Sequence, residues 1–151
     1  MINNAVPLPR LWLRFPPACP LLLEDDDREI EGGMLLDLAA IQECITNDEI
    51  TPNDLWVATD SADDDLYQMQ WDEQSICEFI KILEPQDYKK SEWAKSASNS
   101  RHACDVYVVR FDDEAWERDP NALKYYIKFS ADANGALKIC LISCHPSRYQ
   151  N

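Results

Sequence analysis

The chain has 151 residues, a formal net charge of −14 and a hydrophobic share of 46%. This length suits one domain, and the hydrophobic share is ordinary for a globular protein, so composition excludes global disorder. Residues 1–84 carry four basic and 19 acidic residues, whereas residues 85–151 carry ten basic and nine acidic ones. The overall charge excludes capture of nucleic acid by the whole surface, because phosphate binding needs a positive field. A local basic site in residues 85–151 stays open.

The first 33 residues differ from the rest and are predicted to form an extension before a single domain over residues 34–151. Five of the nine prolines lie in the first 20 residues, and residues 24–33 (EDDDREIEGG) form an acidic run. This composition favours an extended arm packed on the domain, followed by a solvated loop. The alternative is an arm that binds a partner through Trp12 and Phe15.

The sequence contains no segment that suggests a membrane. No apolar run approaches the roughly 18 residues needed for a spanning helix. The N-terminus is unlike a signal peptide, because Arg10 and Arg14 are interior and prolines interrupt each apolar run. We therefore expect a cytoplasmic protein without membrane contact, whose six cysteines are reduced.

Three segments before residue 84 carry helix signals. Residues 34–46 (MLLDLAAIQECIT) repeat apolar residues at helical spacing. Residues 51–54 (TPND) form a good helix start, which predicts a helix that continues through Ala58. Residues 72–83 (DEQSICEFIKIL) are the clearest helix, with one apolar stripe and Asp72 as its cap.

Two polar segments are predicted to lack regular strands. The three aspartates at residues 63–65 lack the spacing of a calcium loop and predict a solvated loop. Residues 86–95 (QDYKKSEWAK) are basic and polar with two interleaved aromatic residues, and they predict a short helix or loop.

The pattern then changes to alternation with β-branched and aromatic residues. Strands are predicted at residues 102–111, 123–130 and 136–144. Gly135 supplies a turn signal, so the second and third strands are predicted to form an antiparallel hairpin. Helices followed by a meander predict an α+β fold, with N-terminal helices packed on an antiparallel sheet of three or more strands.

The sequence offers little for metal chemistry. It has no glycine-rich phosphate loop and no GxSxG, HExxH or CxxC motif. On a regular strand Cys140 and Cys144 share one face while His145 points to the other, which is poor geometry for one metal. We therefore predict buried free thiols and no metal site.

A lysine and tyrosine stripe is the most informative polar pattern. Lys124, Tyr126 and Lys128 fall on one face of their predicted strand. Two interpretations stay open: an ordinary solvent-exposed stripe, or a small electropositive patch with an aromatic ring on which a base stacks. The lysines expected to contact RNA under the second interpretation are Lys89, Lys95, Lys124 and Lys128.

The order of segments then resembles a known family. Helices are followed by DYKKS at 87–91, CDVY at 104–107, YYIKF at 125–129 and LISCH at 141–145. This order resembles the MqsR (motility quorum-sensing regulator) toxins, which are mRNA endoribonucleases of bacterial toxin–antitoxin pairs with a RelE-like α+β fold. The resemblance covers about residues 37–145. It implies cleavage of mRNA without a metal or organic cofactor, and a cognate antitoxin as partner.

The resemblance also places functional residues on this chain. The family's lysine in the DYKKS segment falls on Lys90, and its strand tyrosine falls on Tyr126. Its glutamine before the DVY strand falls on Cys104, and its closing lysine falls on His145, so two positions depart from the family. The predicted catalytic residues are accordingly Lys90, Tyr126 and His145.

Two functions from different classes therefore follow from the sequence. Attack of a ribose 2′-OH on phosphate needs a base, an acid and a cation, and the three predicted catalytic residues can supply them. The rival function is an acidic module without catalytic activity, which mimics nucleic acid and binds a basic protein partner through residues 1–84.

Overall fold

The computed structural model describes residues 7–21 and 28–150. In that part of the chain it is an α+β fold with three α-helices and one seven-stranded mixed sheet, so the predicted class is confirmed. Residues 24–27 of the predicted acidic loop lie outside the described residues. The strands are β1 (Glu29–Ile30), β2 (Leu55–Val57), β3 (Tyr88–Lys95), β4 (Arg101–Asp112), β5 (Glu117–Arg118), β6 (Lys124–Ala131) and β7 (Ile139–Pro146). The helices are α1 (Leu38–Thr46), α2 (Asp60–Met69) and α3 (Glu73–Ile82).

The first and last helix predictions are confirmed, but the predicted loop at residues 63–65 is wrong. These aspartates lie inside α2, where Thr59 caps the helix by accepting a hydrogen bond from the Ala62 amide. Asp60 and Asp63 sit in the first turn, where negative charge is favourable beside the positive end of the helix dipole. The aspartates at residues 63–65 therefore belong to the N-terminal half of a helix and not to a loop.

The helix predicted from residue 51 is also wrong. The Thr51 amide and hydroxyl donate to the Asp54 carboxylate, but this start opens only a 3₁₀ turn over Pro52–Asp54. The chain then extends as β2, which runs parallel to β7 and buries Leu55. This parallel edge strand makes the sheet mixed rather than antiparallel, and with β1 it places strands among the helices in chain order.

Residues 86–95 form a 3₁₀ turn and then β3, so the predicted short helix or loop is wrong as well. The segment alternates in the structure. Ser91 and Trp93 are buried toward the helices, whereas Lys90 and Glu92 point to the other side. Tertiary pairing with β4 overrides the polar composition of the segment.

The sheet has the strand order β1-β3-β4-β6-β7-β2, and the two-residue strand β5 pairs with β4. The predicted meander is confirmed as the neighbouring antiparallel strands β4, β6 and β7. Gly135 adopts a φ of 101° in the β6–β7 turn, as the turn signal predicted.

The main core lies between the helices and one face of the sheet. The buried Asp105 carboxylate fixes the segment before α1, because it accepts hydrogen bonds from the Leu35 and Leu36 amides and from Ser91. Part of the N-terminal arm packs here too. Trp12 is buried and donates from its indole nitrogen to the Asp132 carbonyl, whereas Phe15 is 52% exposed.

The face of the sheet that points away from the main core is concave, and we call it the concave face. A hydrogen bond from the Ala97 amide, beyond the end of β3, reaches the Ala58 carbonyl beyond β2. Three strands, β4, β6 and β7, lie between β3 and β2 in the strand order, so the sheet must curl to bring these two points together. Small side chains make the tight curvature sterically possible. The buried residues under this closure are Ala58, Ala94, Cys104, Cys140 and Ile142.

A β-bulge in β7 determines which side chains enter the concave face. Lys128 pairs with Ser143 and Phe129 pairs with Leu141, so Ile142 is an extra residue on β7. The prediction that Cys140 and Cys144 share a face is therefore wrong. Cys140 lies on the concave side, and Cys144 lies in the main core.

The hydroxyl of Thr59 holds the bulge against the start of α2. It donates to the Ile142 carbonyl at 2.7 Å and accepts from the Ala62 amide at 3.1 Å. We predict that Thr59→Val, which keeps the side-chain shape, lowers the free energy of unfolding by about 1–2 kcal/mol through loss of both bonds. Urea denaturation measures this. The exposed Thr46→Val change is the matched control and should stay within about 0.5 kcal/mol; equal effects of the two changes would contradict the prediction.

Candidate functional site

The middle of the concave face holds an ion-pair cluster on β3 and β6. The Lys128 ammonium lies 2.7 Å from one Glu92 carboxylate oxygen, and the Lys90 ammonium lies 3.3 Å from the other. Lys128 and Glu92 have side chains only 12% and 13% exposed, whereas Lys90 is 47% exposed. Two cations thus share one carboxylate, which leaves this cluster with a net positive charge.

Burial and charge oppose each other in setting the pKa values of this pair. Burial raises the pKa of Glu92, but the hydrogen bond and charge of Lys128, with help from Lys90, lower it by more, so the net pKa lies below 4.5. Burial lowers the pKa of Lys128, but the Glu92 carboxylate raises it by more, so the net pKa lies above 10.5. Both groups are therefore charged at neutral pH.

An aromatic pair stands beside this cluster, where Tyr126 of β6 faces His145 of β7. The two rings stack with centroids 5.2 Å apart and an angle of 13° between their planes. The His145 Nδ1 atom lies 2.8 Å from the Pro146 carbonyl oxygen. A carbonyl only accepts, so Nδ1 is the donor in this bond, and in the tautomer with one ring hydrogen Nε2 is an acceptor.

The Tyr126 hydroxyl keeps its proton at neutral pH and can donate a hydrogen bond. Burial raises the pKa of Tyr126 above 10, even though the charge of Lys128 lowers it. The stacked pair therefore combines one ring nitrogen able to accept a proton with one hydroxyl able to donate a hydrogen bond. These are the complementary groups that acid–base chemistry requires.

The structure places the three predicted catalytic residues and Lys128 on one face of the sheet, where Lys90 and Lys128 share Glu92 and Tyr126 stacks on His145. The other predicted lysines differ in position. Lys124 lies two residues before Tyr126 on the same face of β6, opposite Arg110 of β4. Lys89 is exposed at the irregularity in the pairing of β3 with β4. Lys95 lies at the far end of β3 opposite Arg101, away from the cluster.

Glu92 is the central residue that sequence reasoning missed. It contacts both lysines of the cluster. The signal that could have found it is the alternation in KKSEWAK, which places Lys90 and Glu92 on one face once the segment is read as a strand.

Two cysteines, Cys104 and Cys140, are buried on the concave face. Cys104 is fully buried, and burial raises the pKa of its thiol well above 9.0. Cys140 is also buried, and burial raises its pKa to about 12. Both are neutral thiols at pH 7, which suits packing beneath the sheet closure.

Within residues 7–21 and 28–150, no three His, Cys, Asp or Glu side chains are grouped to hold a metal ion. In the same described ranges, no helix is both long enough and apolar enough to cross a membrane. No family model, curated protein or solved structure matches the chain.

We predict that Glu92→Gln lowers the free energy of unfolding at pH 7 by about 2 kcal/mol, because Lys128 stays buried without its carboxylate. The folded pKa of Glu92 is depressed below its ordinary 4.5. Its stabilisation is therefore present above about pH 4.5 and is lost as the pH falls through the folded pKa. Thermal or urea unfolding of both proteins between pH 7 and pH 3 measures the difference, which should shrink with acidification. A constant difference over that range would contradict the assignment.

Proposed function

We propose that this protein is an endoribonuclease that cleaves single-stranded mRNA on the concave face, similar to the MqsR toxins and RelE-like in its arrangement. The observation that supports this most is the convergence of Lys90, Tyr126, Lys128 and His145 on one solvent-facing surface. We also propose a cognate antitoxin as the partner, bound over the concave face.

The distribution of charge supports an anionic substrate. Lys124 and Arg110 extend the positive cluster toward one end of the concave face. The acidic helix α2 packs through Leu66 into the main core, on the other side of the sheet. A phosphate backbone that approaches the concave face therefore meets cations first, despite the net charge of −14.

The groups present can carry out transesterification of RNA. His145 Nε2 removes the proton from the ribose 2′-OH, whose oxygen attacks the adjacent phosphorus. The bond from phosphorus to the 5′-oxygen breaks, that oxygen takes a proton from solvent water as it leaves, and protonated His145 returns its proton to solvent. Lys128 and Lys90 stabilise the charge that develops on the phosphate oxygens, and Tyr126 orients His145 and donates a hydrogen bond. The products are a 2′,3′-cyclic phosphate and a 5′-OH.

A second candidate function has support from another surface. Asp60, Asp63 and Asp64 are exposed on α2, so the helix side of the molecule presents negative charge. An acidic module that binds a basic protein partner and has no catalytic activity would use that side. It would not depend on the concave face.

We predict that the purified protein cleaves a defined mRNA in the presence of EDTA, and that His145→Ala reduces the rate about 100-fold or more, because loss of a general base costs that much. Tyr126→Phe keeps the ring stack but loses the hydroxyl, so its rate falls less, by about 10-fold. Gel analysis and end mapping of the fragments measure both the rate and the 2′,3′-cyclic phosphate.

Lys90→Ala is a further test variant, and Lys95→Ala is its matched control. Both lysines are exposed on β3, but only Lys90 belongs to the ion-pair cluster. Lys90→Ala is expected to slow cleavage, and Lys95→Ala is expected to leave it unchanged. Absence of cleavage across varied RNAs, with no growth arrest on expression, would overturn the nuclease and favour the acidic module.

A further inference from the structure

A cavity of about 680 Å³ lies at the end of the sheet where β2, β4 and β7 begin and β6 ends. This volume is in the range of small-molecule sites. Its walls come from the N-terminal arm, the start of β2 with the turn before it, the start of β4 and the β6–β7 turn. Three tryptophans line it: Trp12, Trp56 and Trp93.

Trp56 is the ring that solvent can reach. It is 46% exposed, while Trp12 and Trp93 are 6% and 7% exposed. Its backbone pairs with Cys140, and its ring meets the His102 ring edge-on with centroids 5.7 Å apart. Burial lowers the pKa of His102 below 6.5, so this ring is neutral at pH 7. Together the two rings make an uncharged aromatic corner.

Three of the four charged side chains that line the cavity form hydrogen bonds within the protein, and the fourth is Lys138. Asp54 accepts hydrogen bonds from Thr51, and Asp132 accepts them from the backbone of its own turn. Arg101 donates to the carbonyls of Pro20 and Leu21. The cavity therefore presents flat aromatic surface, which suits a planar ring rather than an ion.

The cavity is continuous with the concave face. Ser130 and Cys140 line it, and they pair with each other across β6 and β7. Ser130 lies two residues beyond Lys128, which is a distance of about 7 Å along a strand. A polynucleotide held by its phosphates at the ion-pair cluster therefore has bases within reach of the cavity.

We propose that Trp56 and His102 form a base-stacking subsite that holds one nucleobase of single-stranded RNA, away from the bond that is cleaved. This inference rests on the proposed function, since the same RNA strand occupies the His145 cluster. Stacking of a base on an aromatic ring is tolerant of base identity, so the subsite adds affinity for unpaired strands rather than sequence readout.

The test uses a fluorescent 2′-O-methyl oligoribonucleotide, which lacks the attacking hydroxyl and so cannot be cleaved, with binding followed by anisotropy. Trp56→Ala should weaken binding about 5- to 150-fold, the range of base–aromatic stacking. Trp56→Phe should retain most of the affinity. Tyr67→Ala, which removes an aromatic ring 85% exposed on α2, is the matched control and should change nothing. Equal affinity of Trp56→Ala and the unmodified protein would overturn the subsite.

A second measurement changes the RNA and uses the unmodified protein. Oligonucleotides with one abasic position, moved stepwise along the strand, should lose affinity at a single position by the same factor as Trp56→Ala. Uniform affinity along the series would overturn the subsite. Cleavage of an unmodified strand is assayed separately. Trp56-dependent binding without cleavage would support the subsite and overturn the nuclease, whereas cleavage with Trp56-independent binding would overturn the subsite alone.

Discussion

The arrangement of the concave face depends on one extra residue, Ile142, in β7. Strict alternation allows only every second residue on a face, yet Leu141 and Cys144 both enter the main core. The bulge resolves this and brings His145 opposite Tyr126. Thr59 fixes the bulge by accepting and donating hydrogen bonds at the start of α2, so helix capping and site geometry share one hydroxyl.

Separation of charge between the two sides of the sheet makes a nuclease compatible with a strongly acidic chain. Glu92 lies on the concave side between two lysines, and its role follows from burial. Burial lowers the pKa of the Lys128 ammonium, which is only 12% exposed, whereas the pair with Glu92 raises it, so the ammonium stays protonated. Lys90 shares that carboxylate but is far more exposed, so it is the cation best placed to move onto a phosphate.

Sequence periodicity was enough for elements whose own side chains decide their structure, such as α3 with its apolar stripe and Asp72 cap. Periodicity gave the wrong element where pairing with a neighbouring strand determines the local structure. Residues 55–57 follow a helix start but pair with β7, and the polar segment of β3 becomes a strand because β4 and β1 supply its partners. The faces of Cys144 and His145 also depended on a bulge that no local pattern reveals. Individual residues of the candidate site could therefore be proposed from the sequence. The role of Glu92 and the curvature of the sheet could be seen only in the tertiary structure.

The central claim is that single-stranded RNA occupies the concave face. The chain has two histidines, His102 and His145, and both lie on that face, so their imidazole signals report on it directly by NMR. Titration with an uncleavable 2′-O-methyl oligoribonucleotide is expected to shift the His145 ring signals, and Lys90→Ala should weaken that response. Binding of the oligonucleotide with no shift at His145 would contradict the account.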